Sequence, residues 1–277
     1  MRLVKPHCAV TTLSQYVSTA RSYLEINAIK LQRSKLLNQT ILRLQQQPAP
    51  AKPARQPATA QLIAATVTDT SISLATRVAV QLAYSQLLRS REYTSLSTRQ
   101  FLPQATMLRS HVVWHAHLDA YEILLCFSKS DVYSNGYTFY IYRDPEDTLC
   151  VVAALQHYLL VTSNNHPSLP LFVHADGSYL VAQQVTDALR KHAATYKLPP
   201  SLVSSHSIRL GGAFRLMDAK VAWQHIKAHG RWKTDNVCLA YTRLSDQRVR
   251  IAADALALGK RPLSQSFPIF PSSAFPA

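Results

Sequence analysis

Apolar residues recur at helical spacing through most of this chain. "TTLSQYVSTARSYLEINAIKL" carries Leu13, Tyr16, Val17, Ala20, Tyr23 and Leu24, and "KLLNQTILRLQQQ" repeats the pattern with Leu36, Leu37, Ile41 and Leu44. Both predict amphipathic helices. Two helices make a thin core, so residues 1–46 are not expected to fold alone. The proline-studded, aperiodic run "QPAPAKPARQPAT" follows and reads as an extended linker over 47–58. Next, "DTSIS" offers capping residues before "LATRVAVQLAYSQLLRSREYTSL", which is apolar on most faces and predicts a buried helix.

The pattern changes over residues 111–143. "HVVWHAHLD", "YEILLCFSK" and "YTFYIYRD" are β-branched and aromatic, and "SNG" at 134–136 is a turn signal, so a small antiparallel sheet is expected. Helical spacing returns in "DTLCVVAALQHYLLV", with Asp147 as its cap. "LPLFVHADGSYL" reads as an extended arm with a turn, and "VAQQVTDALRKHAATYKL" as an amphipathic helix. A further helix opens near Ser205, and "VAWQHIKAHG" is a short one stopped by Gly230. "TDNVCLAYTRL" and "DQRVRIAADALAL" predict two last helices, and "GKRPLSQSFPIFPSSAFPA" is Pro- and Ser-rich and expected to be disordered. The expected fold class is mainly α with a small antiparallel sheet (α+β). One large domain spans 59–245, a C-terminal helix 246–258 and a tail 259–277.

Charge changes the picture most. Thirty basic residues face 15 acidic ones, a net of +15. Such a balance attracts polyanions, chiefly nucleic acid or an anionic membrane surface, and also suits ribosome-associated proteins. Residues 1–58 hold nine basic residues against Glu25, a net of +8. No apolar run approaches a membrane span, and "MRLVKPHCAV" lacks a signal-peptide core, so an intracellular protein is expected. Cys8, Cys126, Cys150 and Cys238 are scattered, which argues against a zinc ribbon or a disulfide framework. Neither GxGxxG nor GxxxxGK[ST] occurs, which removes support for a nucleotide-hydrolysing motor.

Candidate chemistry collects in "HSIRLGGAFRLMDAKVAWQHIKAHGRWKTDNVCLAYTRL", residues 206–244. His206 and Arg209 stand at i and i+3 and share a helix face. A guanidinium beside an imidazole presents several donors to one anion, and its fork suits phosphate. Trp232 follows, and Tyr241 lies nine residues beyond it. Taken singly, each has a plainer explanation: a capping histidine, a surface arginine, a core indole, a half-buried phenol. His115 with His117 and His225 with His229 have spacings that metals use. Neither pair has an evident third ligand, so no metal and no cofactor are expected.

The ordered set "HSIRLGGAFRL", "GRWKTDN" and Tyr241 resembles the C-terminal signature of tyrosine recombinases, the phage-integrase family. "LLRSRE", with Arg89 and Glu92, resembles that family's upstream arginine box. "FSKSDVYSNGYTFYIY", with Lys129, resembles its hairpin lysine, and "CVVAALQHYL" resembles another family segment. The resemblance spans about residues 59–245. Leu87 stands where many members have glycine, and Val151 where proline follows cysteine. "LLRxxE", "SKSD" and "GRWKTD" look most like recombinases of mobile elements such as DIRS-type retrotransposons and cryptons. Residues 1–46 resemble only the later part of a helical DNA core-binding domain.

That resemblance implies a metal-independent DNA strand-exchange enzyme. Tyr241 would attack the phosphodiester and form a 3′-phosphotyrosine. A free phenol has a pKa of about 10 and needs help to ionise. Arg89 and Arg209 would clamp the non-bridging oxygens. His206 would exchange a proton with the phenol or donate to the phosphate, and Lys129 would protonate the leaving 5′ oxygen. Trp232 would pack the site and offer its indole N–H, and Glu92 would orient its neighbours. Arg91 competes with Arg89 for its role but misses the spacing to Glu92. The implied partners are double-stranded DNA and further copies of the chain, assembled through Val249, Ala253 and Leu256 of the 246–258 helix, with no membrane. The implied location is the nucleus in a eukaryote, or the cytoplasm and nucleoid in a prokaryote. Two other readings compete: an inactive DNA-binding remnant of a mobile-element recombinase, and a basic RNA- or ribosome-associated protein.

Overall fold

The computed structural model describes residues 55–126 and 136–233, together with single helical positions at 16, 18, 19, 22, 23 and 39. The chain divides into two units, Met1–Ala54 and Arg55–Ala277. Lys129, Tyr241, the 246–258 helix, the tail and most of residues 1–46 lie outside the described residues.

Among its described residues the second unit is mainly helical with one three-stranded sheet, as the pattern predicts. Helix α1 (Ala60–Thr68) opens it, capped by the Thr59 hydroxyl, which accepts from the Leu62 N–H at 3.2 Å. Its stripe of Leu62, Ile63, Thr66 and Val67 faces the core. Helix α2 (Leu74–Ser85) is capped by Ser73, as "DTSIS" suggested. The long helix expected over 74–96 is not formed. The chain leaves α2 at Ser85, passes through Leu87 at φ 48°, and re-enters a short helix α3 (Ser90–Tyr93). Apolar spacing carries no record of that break.

Strands β1 (Val112–His115), β2 (Ala120–Leu125) and β3 (Tyr137–Tyr142) form an antiparallel sheet in sequence order. Val112 pairs with Ile123, and Leu125 pairs with Tyr137. Period-two alternation turns Ile123, Leu125, Phe139 and Ile141 inward and leaves Tyr140 and Tyr142 outside.

Helix α4 (Val151–Val161) begins later than expected. Cys150 is its N-cap, while the Asp147 carboxylate accepts the Leu149 N–H at 2.9 Å in the turn before it. The "LPLFVHADGSYL" arm folds back on itself through the Val173–Tyr179 bridge. Helices α5 (Ala182–Ala193), α6 (Ser205–Asp218) and α7 (Trp223–His229) follow. Gly230 ends α7 at φ −76°, so the left-handed residue beyond the helix is Arg231, at φ 55°.

Two apolar clusters hold the unit together. The larger joins α1, α2, α4, α5 and the inner sheet face through Leu62, Leu82, Leu155, Leu189 and Ile123. The smaller contains Leu87, Leu210, Ala213, Ile226 and Trp232, and it is this one that carries the candidate site. Burying each large aliphatic side chain contributes about 1.5–3 kcal/mol. Among the described residues no helix is long and apolar enough to cross a membrane.

Candidate functional site

The site is assembled where the α2–α3 turn, the N-terminal half of α6 and the turn after α7 meet. Helix α6 lies close against the segment preceding α1. The Ala58 N–H donates to the Ser207 carbonyl at 2.9 Å, and a Cβ on Gly211 would overlap the Ala58 carbonyl. A residue without a side chain is therefore required at that contact. The same segment is held further along, where the Gln56 N–H donates to the Leu202 carbonyl at 3.0 Å and Arg55 donates to the Ser201 carbonyl at 2.8 Å. The last residues of the proline-studded run are thus pinned to this unit.

Arg209 is 2% exposed. Its two terminal nitrogens donate to the carbonyls of Leu87 and Gly230. Its guanidinium lies 4.7 Å from the centre of the Trp232 ring, and that ring stacks on Trp223 at 6.4 Å with 9° between planes. Gly230 makes this possible, because a Cβ there would meet the Trp232 ring. Arg209 therefore staples the α2–α3 turn to the turn after α7 while stacking on an indole. The sequence implied a phosphate clamp at this position, and in this structure the two carbonyls and the indole ring line its guanidinium.

Arg89 precedes α3 and remains 24% exposed. Its Nη1 donates to Glu92 Oε1 at 2.9 Å, and its backbone N–H donates to Glu92 Oε2 at 2.8 Å. Glu92 itself is buried, with a side chain 3% exposed. Arg91 sits on the exposed side of the same turn and lacks this pairing. The i,i+3 spacing in "LLRSRE" thus pairs Arg89, not Arg91, with the carboxylate.

His206 lies on the first turn of α6, at the protein surface. Partial burial lowers its pKa, and the cations Arg209, Arg55 and Arg89 lower it further. An imidazole in that company is held neutral near pH 7 and retains an acceptor nitrogen. His229, one of the other candidate pair, donates through Nε2 to the Ser85 carbonyl at 2.8 Å. His115 is paired with Glu122 at 2.7 Å on the far sheet face. No group of three His, Cys, Asp or Glu side chains that could hold a metal occurs among the described residues.

Arg231 was not singled out by sequence reasoning. Its side chain is 7% exposed and its Nη2 meets Glu92 Oε2 at 3.0 Å. It also donates to the carbonyls of Gln86, Leu87 and His229, each at 3.3 Å. Its guanidinium lies 5.5 Å from the Tyr137 ring centre. Burial lowers its pKa, and Glu92 opposes that pull. One basic residue next to a tryptophan carries no periodic signal, so only its place in "GRW" hinted at a role.

Five sequence-predicted residues thus converge: Arg89, Glu92, His206, Arg209 and Trp232. They form a cationic cluster with a single buried carboxylate, a chemistry suited to binding an anion with several oxygens.

No family model matches the chain, and no curated protein matches it in sequence. Solved structures do match in fold. The integrase of transposon Tn1549, in complex with circular-intermediate DNA, superposes with a TM-score of 0.54 at 14% identity, over 91% of this chain and 81% of that one. A lambda integrase dimer bound to a core site gives 0.50 at 14% identity, over 87% and 82%. The site-specific recombinase XerH, in a post-cleavage complex with a palindromic substrate, gives 0.51 at 12% identity. That match covers 72% of this chain and 53% of XerH, so the chain spans about half the length of that recombinase.

Proposed function

We propose that this chain, which has the tyrosine-recombinase fold, is a site-specific DNA recombinase or integrase. The observation that supports it best is the convergence of Arg89, Glu92, His206, Arg209 and Trp232 on one small cluster, from three separate parts of the chain. They are residues that the family resemblance singles out in the sequence. The three solved structures compared above are integrases and a recombinase bound to DNA, and the chain's net charge of +15 suits the same partner.

In this reading a DNA phosphate lies over Arg89, with His206 at its edge. Tyr241 passes its phenolic proton to His206 and attacks the phosphorus, the bond to the 5′ oxygen breaks, and a 3′-phosphotyrosyl link forms. Lys129 delivers the proton to the leaving oxygen. Arg89 and Arg209 hold the developing negative charge, and Glu92 keeps Arg89 aimed. The covalent link preserves the phosphoester for rejoining, so neither a nucleotide nor a metal is needed. The chain acts as a multimer on DNA through its 246–258 helix, with residues 1–46 as a partial core-binding domain, and belongs to a mobile element of the DIRS or crypton kind.

The test is covalent trapping. Wild type and Tyr241→Phe are incubated with a library of nicked suicide duplexes, and adducts stable to denaturing detergent are sequenced. An adduct that disappears in the Phe variant is expected, and its sequence gives the target site. Tight duplex binding with no adduct from any sequence would refute the enzymatic reading and leave an inactive DNA-binding remnant. RNA binding without duplex binding would refute both.

A further inference from the structure

The buried carboxylate of Glu92 is shared between two arginines of different character. Oε1 takes Arg89 Nη1 at 2.9 Å, and Oε2 takes the Arg89 N–H at 2.8 Å together with Arg231 Nη2 at 3.0 Å. The two guanidiniums differ in access. Arg89 is 24% exposed, whereas Arg231 is 7% exposed and wrapped by three carbonyls and the Tyr137 ring. Arg89 is thus the more open of the two to an anion arriving from solvent, and Arg231 meets Glu92 from the buried side.

We propose that Arg231 is a positioning residue that sets the orientation of Arg89 by holding the far oxygen of Glu92. This rests on the reading of the cluster as the phosphate site of a DNA-cleaving enzyme.

Three observations carry it. First, both oxygens of the buried carboxylate are engaged: Oε1 takes the Arg89 side chain, and Oε2 takes the Arg89 N–H and Arg231, so the second guanidinium helps to fix the plane against which Arg89 is paired. Second, the Leu87 carbonyl accepts from both Arg209 and Arg231. The chain Arg209, Leu87 carbonyl, Arg231, Glu92, Arg89 therefore links both phosphate-clamp candidates in one hydrogen-bonded network, and such networks respond as units. Third, Arg231 adopts φ 55°, a left-handed conformation that a side-chain-bearing residue enters at a cost. The helix ending fixes it there, with the Trp232 N–H donating back to the Lys227 carbonyl at 3.1 Å, so the Arg231 side chain starts from a set backbone. Arginine is needed because its planar fork reaches a carboxylate and several carbonyls at once, which an ammonium cannot do.

The experiment compares Arg231→Met, Arg231→Lys, Glu92→Gln and the Glu92→Gln/Arg231→Met double variant, each verified as folded by its thermal midpoint. The first readout is the rate of covalent trapping on the suicide duplex at saturating DNA, with duplex affinity measured separately. Arg231→Met should trap more slowly by a factor on the order of 10–100, the usual cost of losing a residue that orients a site, with affinity unchanged. Arg231→Lys should rescue only part of the rate. The double variant should be no slower than Glu92→Gln alone, because Arg231 acts through that carboxylate. A wild-type rate in Arg231→Met, or penalties that multiply in the double variant, would overturn the proposal.

The second readout does not need cleavage. The Arg89 Nε–H resonance, assigned by its absence in Arg89→Lys, should be sharp in the wild type and broadened by exchange in Arg231→Met. An unchanged Arg89 signal overturns the proposal. If the wild type forms no adduct, the recombinase reading fails on its own, and the resonance still decides whether Arg231 orders Arg89.

Discussion

Replacing Gly211 by alanine sets local and tertiary physics against each other. In a helix interior alanine is favoured over glycine by about 1 kcal/mol, so helix propensity alone predicts a more stable protein. The structure predicts the opposite. The new Cβ would overlap the Ala58 carbonyl, and that carbonyl belongs to a segment already held in place. The overlap has two ways to relax. If the core absorbs it, overpacking costs about 1–3 kcal/mol. If residues 55–58 lift away, the Ala58–Ser207 and Gln56–Leu202 backbone bonds are lost, at about 1 kcal/mol each, together with the burial of Ala58, which is 0% exposed. The overlap is with backbone and not with a flexible side chain, so the upper part of the overpacking range applies, about 2–3 kcal/mol, and either route leaves a net loss of about 1–2 kcal/mol. In a unit of this size that lowers the thermal midpoint by about 2–8 °C. Denaturant and thermal unfolding of wild type and Gly211→Ala measure it. Hydrogen exchange at the Ala58 amide tells the routes apart, because it quickens only if the segment lifts. A variant as stable as the wild type, or more so, would refute the reasoning that α6 is seated against residues 55–58 at this glycine.

Trp232→Ala removes a buried ring stacked between Trp223 and Arg209, and should destabilise by about 3–5 kcal/mol; a loss below about 1 kcal/mol in denaturant unfolding would mean the stack bears no weight. Stability should also fall on mild acidification. His206 and His229 both have folded-state pKa values lowered first by burial, so the unfolded chain binds more protons in that range, and stability is intact above about pH 6.5 and declines as pH drops through it. Unfolding midpoints from pH 8 to 5.5 should show that decline, with a smaller one in His229→Gln, and a flat wild-type profile would contradict it.

Much of the site was legible because its spacing is local. His206 and Arg209 share a face of α6 as their i,i+3 separation requires, and Arg89 and Glu92 pair across one turn by the same interval. Trp232 comes to Arg209 across the turn after α7. Arg231 was not legible. Its partners Gln86, Leu87 and Glu92 lie well over a hundred residues earlier in the chain, and no sequence period connects them.

The sequence by itself determined the elements whose period matches their burial: the alternating strands β2 and β3 and the amphipathic α5. In each, residues a fixed interval apart must face the same side, so the pattern is the structure. Tertiary contacts decided the rest. The apolar run from Leu74 to Leu96 would suit one helix, yet the chain breaks after Ser85. The Leu87 carbonyl at that break is taken up by Arg209 and Arg231, and a carbonyl inside an uninterrupted helix would already be spoken for by the N–H four residues on. The break leaves an accepting carbonyl for two distant guanidinium groups, and a contact made only in the folded chain leaves no period in the sequence.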